Sequence, residues 1–131
     1  MDRSVDTAAR ARPPDAQRLV AVKAVHSAVF FLELGSILWL VATGLLNRRD
    51  RSVAIAAAAV SVEVVVWLAN DRVCPLTPLA ERFGADRGSV SDIWLPDRVA
   101  RTIPVWSSAL LLVAGLLHVR GVARRWRRAG A

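Results

Sequence analysis

At 131 residues the chain has room for one domain and not for two. With 54% hydrophobic residues and a mean hydropathy of +0.37, it is too apolar for a water-soluble domain of this size. Its formal charge of +7 would suggest nucleic acid in a soluble protein, but here the arginines stand at the ends of apolar runs. Anionic headgroups and the positive-inside rule account for them there, so the expected partner is a lipid bilayer and not a nucleic acid.

Residues 1–18 mix acids, arginines and Pro13-Pro14 with little to bury, which predicts a disordered polar tail. Asp15 is a candidate N-cap for the helix that follows. From Leu19 to Leu46 nothing interrupts that helix, and its lipid-embedded part is expected over residues 24–46. The leader is long and carries acids, and the apolar run exceeds a signal h-region, so an uncleaved span is expected. Asn47-Arg48-Arg49-Asp50-Arg51 is a tight basic connector, and residues 52–70 form a second span antiparallel to the first.

Residues 71–102 carry prolines, glycines and balanced acids and arginines, the composition of a structured loop outside the membrane. A short interfacial helix is expected within it from Thr77 or Pro78 to Phe83, with Thr77 as N-cap and Pro78 at the first helical position. The third span runs over residues 103–119, and the basic tail 120–131 follows. The fold class is therefore an all-α integral membrane bundle of three transmembrane helices, occupying residues 19–119. Arginines in the connector and the last tail put both on the cytoplasmic side of the cell membrane.

Ionisable groups inside a bilayer are costly and mark candidate sites. His26 and Glu33 are seven residues apart on the first span and share a face. Glu63 and Asn70 repeat the spacing on the second. Because the spans run antiparallel, Glu33 and Glu63 reach a common depth, with His26 and Asn70 at a shallower level on the same side. The loop bearing Cys74 and Asp92 leaves from that side. His26, Glu33, Glu63, Asn70, Cys74 and Asp92 thus form a candidate polar cluster, and also a candidate ligand set for a transition metal. No CxxC or HExxH spacing fixes a metal geometry. The alternative is structural, with Glu33 and Glu63 bonded to Asn70, Ser27, Ser36, Ser61 or backbone and holding the hairpin together.

The remaining candidates read more simply. Cys74 is the single cysteine, which excludes an intramolecular disulfide, and no adjacent base activates it as a nucleophile. His118 is expected at the cytoplasmic end of the third helix, roughly 20 Å from the cluster along the bundle, as an interfacial residue at a helix C-terminus.

The string Cys74-Pro75-Leu76-Thr77-Pro78-Leu79, followed by Glu81, resembles a family of small multipass bacterial membrane proteins of unknown function marked by Cys-Pro-Leu-Thr and a following acid. His26, Glu63 and Asp92-Ile93-Trp94-Leu95 look like that family's remaining elements, in order. Ala80 stands between Leu79 and Glu81, a departure in the acid's position. The resemblance implies the multipass architecture and a related set of His26, Glu63 and Cys74, and it implies no reaction.

Two functions follow. One is an accessory or structural membrane subunit, working with a membrane protein partner or as a homo-oligomer, whose buried His/Glu cluster fixes helix register. The other is a metal-binding or proton-handling membrane protein, enzymatic or not, that uses the same cluster.

Overall fold

The computed structural model describes residues 13–85 and 95–131. Among the described residues five helices follow one another: α1 (Pro13–Leu45), α2 (Arg51–Ala69), α3 (Leu76–Arg82), α4 (Asp97–Ala100) and α5 (Ile103–Ala129). Three of them, α1, α2 and α5, are long and apolar enough to cross a membrane. A backbone in hydrocarbon must satisfy its own hydrogen bonds, and a helix does so within each span.

α1 is the central element, packing against α5, α2 and α3. Its buried stripe of Ile37 and Leu40 meets Ala56 and Val60 of α2 and Ala114 of α5. Small residues at Ala56 and Ala114 let the helix backbones approach, the usual basis of packing where lipid removes the hydrophobic drive between helices. Farther up α1, Arg18 lies over the ring of Phe83, 5.7 Å from its centroid, just beyond α3, whose Ala80 is fully buried.

The turns are closed by left-handed residues. At the end of α1, Asn47 has φ 54°, Asn47 N–H donates to the Gly44 carbonyl at 3.3 Å and Arg48 N–H to the Thr43 carbonyl at 2.9 Å. This is a Schellman ending, which satisfies two carbonyls the helix would otherwise orphan. After α2, Asp71 and Arg72 both have positive φ, and Arg72 N–H donates to the Trp67 carbonyl at 2.8 Å. Asp50 caps the start of α2 through its carboxylate, which accepts from Ser52 N–H at 3.0 Å and Val53 N–H at 3.4 Å and from the Ser52 hydroxyl.

Three boundaries differ from the sequence reading. α1 begins at Pro13, so residues 13–18 are helical and not part of a disordered tail. Proline is tolerated in a first helical turn, and Asp15 sits inside that turn, where its charge favours the helix dipole, instead of capping it. α3 begins at Leu76 with Pro75 at its N-cap position, so Thr77 lies in the helix. α5 does not stop near His118 but continues to Ala129, because arginine is a strong helix former and nothing in residues 120–129 breaks the helix.

Candidate functional site

Three of the polar residues expected on the first two spans are half-buried: His26 and Glu33 on α1 and Glu63 on α2. Glu33 and Glu63 lie on helices that pack against each other, α1 and α2. Two of the donors expected to serve them, Ser61 and Asn70, are directed to backbone carbonyls. Ser61 Oγ donates to the Ala57 carbonyl at 2.7 Å within its own helix. Asn70, exposed at the C-cap of α2, donates from Nδ2 to the Val73 carbonyl at 2.8 Å.

Asn70 therefore braces the turn into the loop and does not close over a pocket. Cys74 is a half-buried free thiol, and its carbonyl accepts from Thr77 N–H at 2.9 Å to start α3. Asp92 lies outside the described residues. Among the described residues no three His, Cys, Asp or Glu side chains are grouped so as to hold a metal ion. Glu33 and Glu63 stand on the two adjoining helices of the hairpin, and His26 stands on α1 two turns from Glu33.

A second polar assembly lies at the opposite end of the bundle. His118 is half-buried in the middle of α5, not at a helix end. Its Nε2–H donates to the Leu40 carbonyl of α1 at 3.0 Å, which fixes the ring orientation and places the proton on Nε2. Arg49 of the connector donates from Nη2 to the His118 carbonyl at 2.6 Å. Arg125 donates to the Asn47 carbonyl at 3.4 Å. The connector is thereby fastened to α5 from both directions.

Two glycines make that contact possible. A Cβ on Gly44 would stand 2.9 Å from the Leu117 Cβ and 3.4 Å from the His118 ring. A Cβ on Gly121 would stand 2.5 Å from Asn47 Oδ1 and 3.3 Å from Arg49 Nη2. The Leu117 Cβ is fixed to its backbone, so α1 and α5 approach this closely at Gly44 because it has no side chain, while at Gly121 the space is taken by the Asn47 and Arg49 side-chain ends. On the α2 side, Trp39 Nε1–H donates to Ser52 Oγ at 2.9 Å, and Arg48 forms an ion pair with Asp50 at 2.9 Å. The buried Thr43 hydroxyl is satisfied by the Trp39 carbonyl at 2.7 Å.

This assembly was hidden in the sequence. Its signals were Gly44 and Gly121 inside helices, two small residues whose partners become apparent only when α1 and α5 are superimposed along their length. His118 stands just before a basic run that reads as the end of the helix, whereas α5 runs on past it to Ala129.

The chain matches no family model, no curated protein and no solved structure. The resemblance carried by Cys74-Pro75-Leu76-Thr77 thus rests on those residues and the topology around them.

Proposed function

We propose that this protein is a structural or accessory subunit of the cell membrane, with its connector and C-terminal end on the cytoplasmic side. The observation that carries the reading is the use made of polar side chains. His118, Arg49, Asn47 and Arg125 are engaged in tying α5 and the connector together, as interhelical polar contacts do in membranes. The helices bury little of their apolar surface in one another: 22%, 11% and 6% of the most apolar stretch of α1, α2 and α5. Most of the surface is left for lipid, a membrane protein partner or further copies of the chain. Arg48, Arg49, Arg51, Arg120, Arg124, Arg125, Arg127 and Arg128 share one end with a single acid, Asp50, which supports the orientation.

The deciding experiment is cross-linking in intact membranes, comparing the native chain with Glu63→Gln. A subunit role predicts discrete cross-linked species that persist in the variant, because the amide keeps the size and hydrogen-bonding capacity of the acid. Absence of any cross-linked species removes this reading.

A second reading, proton or metal-ion handling by His26, Glu33 and Glu63, is favoured by the half-buried placement of Glu33 and Glu63 on the two packed helices of the hairpin, since two acids at one level invite a shared proton or cation. Metal content of protein purified without chelator, measured beside Glu63→Gln and His26→Ala, tests its metal form. Stoichiometric metal lost in both variants would support it.

A further inference from the structure

Beyond Val119, α5 continues as a helix to Ala129 and carries Arg120, Arg124, Arg127 and Arg128 at spacings of four, seven and eight residues. Those spacings place the four on one helical face. Together with Val119 and Ala123 they line a shallow depression. Among the described residues none of the four has an ion-pair or hydrogen-bond partner, and α5 contains no acid. The face of α5 toward the connector is occupied by Gly121 and Arg125, and Arg120, Arg124 and Arg127 flank it on the side that carries Val119 and Ala123.

An apolar stripe leads up to this face. Leu112, Leu116 and Val119, at spacings of four and three, are 70%, 65% and 65% exposed and lie on one side of the membrane-spanning part of α5. Ala123 continues the stripe to the level of the arginines. One helix therefore presents an uncovered hydrocarbon-facing strip and, directly above it, a strip of unneutralised guanidinium groups.

We infer that this combined strip binds an anionic phospholipid. The acyl chain lies along Leu112, Leu116 and Val119, and the headgroup phosphate is held by Arg120, Arg124 and Arg127. Guanidinium suits the task because its fork of donors matches phosphate oxygens and is weakly hydrated. Zwitterionic lipid offers a phosphate but cancels its charge, and free phosphate offers the charge but nothing for the apolar strip. The two halves of the strip together select a lipid that is both.

The test uses the full chain in zwitterionic detergent, with bound lipid counted by native mass spectrometry. Phosphatidylglycerol, phosphatidylcholine, inorganic phosphate and a single-stranded RNA oligonucleotide are the probes. The expected result is retained phosphatidylglycerol that phosphatidylcholine and inorganic phosphate do not displace at equal concentration and that added salt weakens. Combined Arg120→Gln, Arg124→Gln and Arg127→Gln should weaken retention by about a hundredfold, at about fivefold per arginine. The same substitutions at Arg72, Arg82 and Arg101, at the other end of the bundle, should leave it unchanged.

Equal retention of phosphatidylcholine, displacement by inorganic phosphate, or undiminished retention by the first triple variant overturns the proposal. Tight RNA binding that excludes the lipid overturns it in favour of a nucleic-acid surface. Should the triple variant fail to fold, the lipid contrast and its salt dependence in the native chain decide the matter alone.

Discussion

His118 Nε2 lies 3.0 Å from the carbonyl oxygen of Leu40, a residue 78 positions earlier, and this bond joins the last span to the first. The Leu40 carbonyl lies inside α1, where it also serves the helix ladder and accepts from the Thr43 hydroxyl at 3.3 Å, so the imidazole adds to an oxygen already engaged within its own helix.

Removing that donor tests how much the fastening contributes. His118→Ala should lower stability by about 1 kcal/mol, the usual size of an interhelical hydrogen bond in a membrane bundle. His118→Gln, which retains a donor, should lose less. Thermal unfolding in detergent, followed by circular dichroism, measures both. Equal and full stability in the two variants would show that the bond contributes nothing.

Backbone proximity at the same end makes a larger effect expected. A methyl group at Gly121 would meet Asn47 Oδ1 at 2.5 Å, and one at Gly44 would meet the Leu117 Cβ at 2.9 Å. Gly44→Ala should cost about 1–3 kcal/mol through overpacking against the fixed Leu117 Cβ, Gly121→Ala should cost less because Asn47 Oδ1 and Arg49 Nη2 are side-chain ends that can swing aside, and Gly35→Ala, with open space around it, should not destabilise. Equal melting temperatures across the three variants would contradict the close approach of α1, the connector and α5.

Asp50 supplies a pH dependence. Its carboxyl is held below the ordinary carboxylate value, first by the Ser52 hydroxyl and with help from the Ser52 and Val53 amides and Arg48. A carboxylate with a depressed folded-state pKa stabilises the fold above its unfolded pKa. The contribution is lost as pH falls through the folded-state value. Acidification through and below the ordinary carboxylate range should therefore lower the melting temperature of the native chain. Asp50→Asn should flatten that acid limb while keeping helix initiation, because asparagine also caps. An acid limb unchanged in the variant would assign it to other carboxyls.

Asp71 is a non-glycine residue at φ 54° in the turn after α2. Asp71→Gly should stabilise the chain by up to about 1 kcal/mol by relieving the left-handed conformation. A fall in melting temperature would mean that the Asp71 side chain has a role its backbone does not reveal.

The three spans were legible because about 20 apolar residues in a row have few alternatives to crossing a membrane. The length of α5 was not legible, since a basic run after an apolar one reads equally as a tail or as more helix, and Val119 gives no sign of which. The Asn47–Gly121 contact was illegible for a different reason. It depends on the rotation of α1 relative to α5, which the broadly apolar surfaces of both helices leave unspecified. Asn70 illustrates the opposite error: its helical spacing from Glu63 suggested a common site, but a residue at a helix end is drawn to the free backbone groups nearby, here the Val73 carbonyl.

The continuity of α5 ties its charged end to the thickness of the surrounding membrane. The apolar part from Ile103 to Val119 is about 25 Å long at 1.5 Å per residue, shorter than a hydrocarbon core of about 30 Å. The mismatch is met by local thinning or by Arg120 reaching outward. Because no break separates that part from the arginines, any tilt of the span swings the basic end as a rigid lever. At about 15 Å beyond Val119, a tilt of about 20° carries the tip roughly 5 Å sideways. A bilayer thin enough to tilt the span would thus present the same arginines at a different lateral position.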